Sequence, residues 1–148
     1  MLSNQFVLNF PDNWKESTVY TFEGPEDSGV KHNLVLMIDR DVDKNTDLEA
    51  YVASRIEQLG QTLPSFELLS KKKATISESQ AVEIVYTYTP GSIPLFQKQF
   101  YIHKVPAIFL FTATFIKKTL RTLEPEIDDI VHSLNTIDEK DVVNHFYK

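Results

Sequence analysis

The chain has no cysteine, only four glycines and a single tryptophan among its 148 residues. Without thiols it can form no disulfide, and it offers neither a cysteine nucleophile nor a thiolate metal ligand. So few glycines leave little with which to build a phosphate cradle, and no G-x-G-x-x-G, Walker or G-x-S-x-G pattern occurs. Long apolar runs are missing too. The longest nearly unbroken one, Val105 to Phe111, contains Pro106 and falls far short of the ~20 residues that span a bilayer. The start, MLSNQFVLNFPDNW, shows no basic region, sustained apolar stretch or small-residue cleavage site, so a cytoplasmic protein without stable membrane insertion is the expectation.

Charge narrows the partners further. The net charge is −6, with acids spread along the chain, which argues against nucleic acid or anionic lipid. The one basic run, Lys71-Lys72-Lys73, has no interleaved aromatics and reads as a solvated edge or hairpin. Asp39-Arg40-Asp41-Val42-Asp43 begins like a calcium loop. Counted from Asp39, however, the glycine position holds Lys44 and the bidentate glutamate position holds Ala50; counted from Asp41 they hold Thr46 and Val52. His32, His103, His132 and His145 are scattered without ligand spacing. No metal, no cofactor and no catalytic group is expected, and the prior moves from enzyme toward binding module.

What is present is strand signal. Phe6 to Phe10, Ser17 to Glu23, Asn33 to Asp39, Phe66 to Ile76, Gln80 to Thr89, Leu95 to His103 and Ala107 to Phe115 are bounded by Gly, Pro or polar clusters. Connections this short imply antiparallel pairing. A first helix opens at the capping-box pattern Thr46-Asp47-Leu48-Glu49 and carries Leu48, Tyr51, Val52, Ile56, Leu59 and Leu63 at helical spacing until Pro64. A second is expected with Pro125 in its first turn, Glu124, Glu126, Asp128 and Asp129 at the positive end of its dipole, and an apolar stripe of Ile127, Ile130, Val131 and Leu134. The fold class is α+β: a twisted antiparallel sheet flanked by two main helices, in one domain over residues 1–135, followed by a tail over 136–148.

Strand parity separates two faces. Tyr20, Phe22, Leu34, Leu36, Ile38, Phe96, Phe100, Ile102, Phe109, Phe111, Ala113 and Phe115, with Lys98 among them, make a bulky, largely apolar core face, suited to receive both helical stripes. The opposite set mixes Val19, Thr21, Val35, Met37, Asp39, Gln97, Gln99, Tyr101, His103, Ile108, Leu110, Thr112 and Thr114. Such a face suits binding, with Met37 adapting to varied shapes and the two glutamines awaiting a partner's polar groups. The competing reading is a second core packed by the long helix, or a dimer interface with nothing else bound.

Pro11-Asp12-x-Trp14, Arg40-Asp41, the Tyr51 helix ending in Leu63-Pro64-x-Phe66, Gln99-x-x-Ile102 and Pro106-Ala107 resemble, in that order, the DcrB-like family, and within it the Eag-type chaperones of type VI secretion. The resemblance covers about Phe6 to Asn135. It implies a PsbP-like fold and a homodimer with a concave surface. It further implies a non-catalytic cytoplasmic chaperone that holds the apolar, transmembrane-like N-terminal segment of a secreted effector and, indirectly, serves the secretion spike protein. By order of motifs its client groove falls on Val19, Thr21, Val35, Met37, Leu63 and Gln99, with Asp39 and Arg55 at the edge, where the family carries small or neutral polar groups. The alternatives are a homodimeric interaction protein without a hydrophobic client, and a small-molecule binder using a cleft beside Asp39-Arg40-Asp41.

Overall fold

The computed structural model describes residues 6–136. The chain from Thr18 to Leu134 forms one compact unit, and the described residues on either side, 6–17 and 135–136, belong to a second. In the larger unit the order is β1 (Val19–Asp27), β2 (Val30–Asp39), α1 (Leu48–Thr62), β3 (Glu67–Ile76), β4 (Ser79–Tyr88), β5 (Leu95–Lys104), β6 (Ala107–Phe115) and α2 (Lys117–His132). The strands form one six-stranded sheet in the order β1-β2-β6-β5-β4-β3, every neighbouring pair antiparallel. The sheet is thus a hairpin, β1–β2, joined edge to edge through β2 and β6 to a four-stranded meander, and α1 carries the chain from the middle of the sheet to its far edge.

Turn chemistry sets the hairpins. Ser28 and Gly29 (φ 54° and 78°) join β1 to β2, and Ser77 and Glu78 (φ 51° and 64°) join β3 to β4. Two left-handed residues in succession give a turn whose twist matches that of the flanking strands. At the start of α1 the cap is Asp47, whose carboxylate accepts from the Glu49 amide at 3.1 Å. Thr46, the cap expected from the sequence, instead accepts from the Asp43 amide at 3.1 Å and closes the loop before the helix. The helix ends where the Leu63 amide donates to the Leu59 carbonyl and Pro64 follows.

Three expectations are corrected. Phe6–Phe10 forms no strand; Phe6, Val7, Leu8 and Phe10 are all exposed, because no described neighbour supplies a ladder. Beyond it the Pro11 turn is present, with the Trp14 amide donating to the Pro11 carbonyl at 3.0 Å and the Phe10 and Trp14 rings stacked at 5.4 Å. Second, α2 begins at Lys117, so Pro125 lies inside it and the acids Glu124 to Asp129 are not at its N-terminus. There the N-cap residue Ile116 has no side-chain acceptor, and the Thr119 hydroxyl instead accepts from the Ile116 amide at 3.2 Å. Third, the helices do not share a face. α2 packs through Leu120, Leu123, Ile127 and Val131 on Leu34, Leu36, Phe100, Ile102, Phe111, Ala113 and Phe115, whereas α1 packs through Leu48, Val52, Ile56 and Leu59 on Val82, Ile84, Tyr86, Tyr101 and Ile108. Of the tail, residues from 137 onward lie outside those described.

A buried charge fixes α2 to the sheet. Lys98 is 3% exposed and its Nζ lies 2.8 Å from Asp128, 3.0 Å from Glu124 and 3.6 Å from Glu83. Burial works against its positive charge, but the hydrogen bonds to Asp128 and Glu124 prevail and raise its pKa above the ordinary lysine value.

Candidate functional site

Because α1 lies against β4 and β5, it covers only part of the second face. Register shows which part is left. Val19 pairs with Met37, Met37 with Leu110, and Leu110 with Tyr101; one row along, Thr21 pairs with Val35, Val35 with Thr112, and Thr112 with Gln99. Five of the six groove residues expected from the sequence therefore occupy two adjacent rows of one face. At the β1–β2 end these rows are open: Val19 is 52% exposed, Met37 50%, Thr21 exposed and Val35 half-buried. Leu63 stands apart in sequence as the C-cap of α1, half-buried against the α1 core.

Gln99 lies under cover, 7% exposed, and both ends of its amide are engaged. Its Oε1 accepts from the Tyr101 hydroxyl at 2.6 Å, and its Nε2 donates to Thr112 Oγ1 at 3.2 Å. Gln97 repeats the arrangement on the next row, accepting from the Tyr86 hydroxyl and donating to Thr114 Oγ1 at 3.0 Å. The expectation that these amides await a partner's polar groups is thus corrected: the sheet itself satisfies them. Burial raises the pKa of Tyr101 and of Tyr86 well above the ordinary phenol, so both remain donors at any physiological pH.

The residue pattern, the all-antiparallel sheet and the helix placement meet in one further finding: the DcrB family pattern matches residues 7–133. The chain belongs to the DcrB family. Effector EagT6 of Pseudomonas aeruginosa is 28% identical to this DcrB-family chain over 119 residues, which cover 80% of the chain and 82% of EagT6. Among solved structures, PA94 of Pseudomonas aeruginosa, a protein of unknown function, superposes with a TM-score of 0.78 at 23% identity, covering 88% of this chain and 91% of PA94. The cyanobacterial PsbP of Synechocystis sp. PCC 6803 gives 0.55 at 13% identity, with 80% and 82% covered. LpqN of Mycobacterium tuberculosis, involved in cell envelope biogenesis, gives 0.52 at 13% identity, with 82% and 85% covered. These structural likenesses establish a PsbP-like fold for this DcrB-family chain.

The two edge residues named from the resemblance are linked through a third, Tyr51. Its hydroxyl donates to Asp39 Oδ2 at 2.7 Å and accepts from Arg55 Nη2 at 2.9 Å, while Arg55 stands 3.7 Å from Asp39 Oδ2 and 5.2 Å over the Tyr51 ring. Burial and then the bond to Asp39 raise the Tyr51 pKa. For Arg55 burial is the largest single effect and opposes the charge, but the bond to Tyr51 together with the attraction of Tyr51, Tyr101 and Asp39 outweighs it and the pKa rises. This pins the end of β2 to α1 beside the open rows. The i, i+4 spacing of Tyr51 and Arg55 is the sequence signal that could have linked them; the Tyr86–Gln97 link depends on the β4–β5 register, which no local signal contains. Among the described residues no helix is long and apolar enough to cross a membrane, and no cluster of three His, Cys, Asp or Glu is placed to hold a metal ion.

Proposed function

We propose that this chain is a cytoplasmic, non-catalytic chaperone that shields an apolar, transmembrane-like N-terminal segment of a secreted effector and aids its loading onto a secretion spike, acting as a homodimer. The observation that carries the reading is the open end of the second sheet face, where Val19 and Met37 are half exposed beside Val35 and Thr21 in a chain similar to Effector EagT6. Burying a large aliphatic side chain is worth roughly 1.5–3 kcal/mol, so a client helix laid across these rows gains from several moderate contacts without a deep pocket, and stays releasable. Leu63 would extend the apolar lining from α1, Gln99 would hold the polar floor, and Asp39 and Arg55 would bound the edge.

The test is co-expression with the N-terminal fragment of an effector encoded beside this gene, followed by pull-down. Val35→Arg should lower capture by at least about ten-fold with little loss of stability, since it puts a charge in the apolar patch. Capture undiminished by Val35→Arg overturns the groove. Sedimentation of Met37→Asp separates the rival reading: a lost dimer together with unchanged capture makes the patch an interface between copies instead.

A further inference from the structure

Two side-chain chains run from tyrosine through glutamine to threonine, one ending at Thr112 in an open row and the other at Thr114 in the row beside it, and both have a direction. Tyr101 and Tyr86 are each 1% exposed. A phenol that deep loses stability unless its proton finds an acceptor, and the acceptors it reaches are Gln99 Oε1 and Gln97 Oε1. Each amide is thereby turned so that its nitrogen faces β6, where Thr112 and Thr114 accept through Oγ1. A hydroxyl that accepts along one line must send its own proton along another, and among the described residues neither threonine proton has an acceptor. Both threonines are half-buried on the second face, and Thr112 shares its row with Val35 and Thr21.

Resting on the chaperone reading, we infer that Thr112 and Thr114 form a paired hydrogen-bond donor that selects among apolar clients. Two residues apart on β6, their hydroxyls stand about 7 Å apart, while positions i and i+4 of a helix are separated by about 6 Å along its axis. The client chemistry that fits is an apolar helix carrying two short acceptor side chains, such as Asn or Ser, one turn apart. Apolar contact with Val35 and Met37 sets how tightly a client is held; the donor pair sets which helix register is held. Tyr101 and Tyr86 act as positioning residues, since without their protons the amides are free to turn over and take the threonine protons themselves.

The experiment uses the full chain and three lysine-flanked Leu/Ala helical peptides of about 20 residues: one with Asn at i and i+4, one with Asn at i and i+2, one with Ala at these positions. Affinities are read by fluorescence anisotropy. The wild type should prefer the i, i+4 peptide over the Ala peptide by roughly ten-fold and over the i, i+2 peptide, which can still make one bond, by roughly three-fold. Joint Thr112→Val and Thr114→Val should abolish that preference while leaving affinity for the Ala peptide; Thr112→Ser with Thr114→Ser should keep it. Tyr101→Phe with Tyr86→Phe should weaken it at distance. Equal binding of all three peptides by the wild type overturns the donor pair and spares the chaperone reading, and it does so even where a valine variant fails to fold. Preference retained in the folded valine variant also overturns it. Binding of none of the peptides overturns both.

Discussion

Lys98 shows how one side chain can matter more than its sequence context suggests. It lies among Phe96, Phe100 and Ile102 on the core face, where a lysine would ordinarily be excluded, and it remains because α2 and β4 bring carboxylates to it. Removing the ammonium leaves Glu83, itself 6% exposed, with Lys72 at 3.9 Å as its remaining cation. Lys98→Met should therefore cost about 2–3 kcal/mol in urea unfolding, toward the low end for a broken buried pair because water reaches Glu124 and Asp128. Lys98→Arg, which keeps the charge, should cost less. An unchanged unfolding midpoint for Lys98→Met would show that the pairing does not hold α2.

At the scale of elements, α2 illustrates a signal read in the wrong place. Pro125 suits a first helical turn, and the acids around it suit a helix start, yet the helix runs eight residues further upstream. The upstream turn carries Lys117 and Lys118, unfavourable at the positive end of a dipole, and forms because Thr119 caps it and Leu120 and Leu123 find the sheet. With Pro125 internal, the Arg121 carbonyl lacks its helical donor. Pro125→Ala should restore that bond and stabilise the chain by about 1–3 kcal/mol, seen as a higher thermal midpoint. Edge strand β3 is the other instructive element: Lys71 and Lys73 point toward Glu49 of α1 at 3.4 and 3.9 Å. The solvated edge expected of that run is what the strand presents, and its lysines discourage further strand pairing.

For the whole molecule, both faces of the sheet carry groups that favour the protonated form, with the same consequence for pH. Tyr86 and Tyr101 on one face and Lys98 on the other all have pKa values raised by the fold. Below about pH 10 they are protonated in folded and unfolded chains alike; above it the unfolded chain releases protons that the folded chain keeps. The folded state then binds more protons, so stability falls as pH rises, by up to about 1.4 kcal/mol per pH unit for each such group. Urea midpoints should hold steady from pH 8 to 9 and drop from pH 10 to 11. The Tyr86→Phe, Tyr101→Phe double variant should show a shallower fall; an equal fall would place the alkaline sensitivity elsewhere.

The parity of the strands was legible because alternation is a local consequence of backbone geometry, and it assigned Val19, Thr21, Val35, Met37 and Gln99 to one face before any register was known. The four later strands, the Pro64 stop and the α+β class came from equally local signals, whereas β1 runs on to Asp27 and β2 starts at Val30, through the stretch whose Gly and Pro read as a loop. What tertiary structure decided was cover. The stripe of α1 and the stripe of α2 look alike in sequence, and nothing local says that they take opposite faces, that α1 packs over β4, β5 and the start of β6, or that Gln99 finds Tyr101 and Thr112 while Val19 and Met37 find no cover from either helix. Sequence fixes which side chains share a surface because neighbouring residues must alternate; which of those surfaces is buried depends on contacts between residues far apart in the chain, and only the folded sheet brings those together.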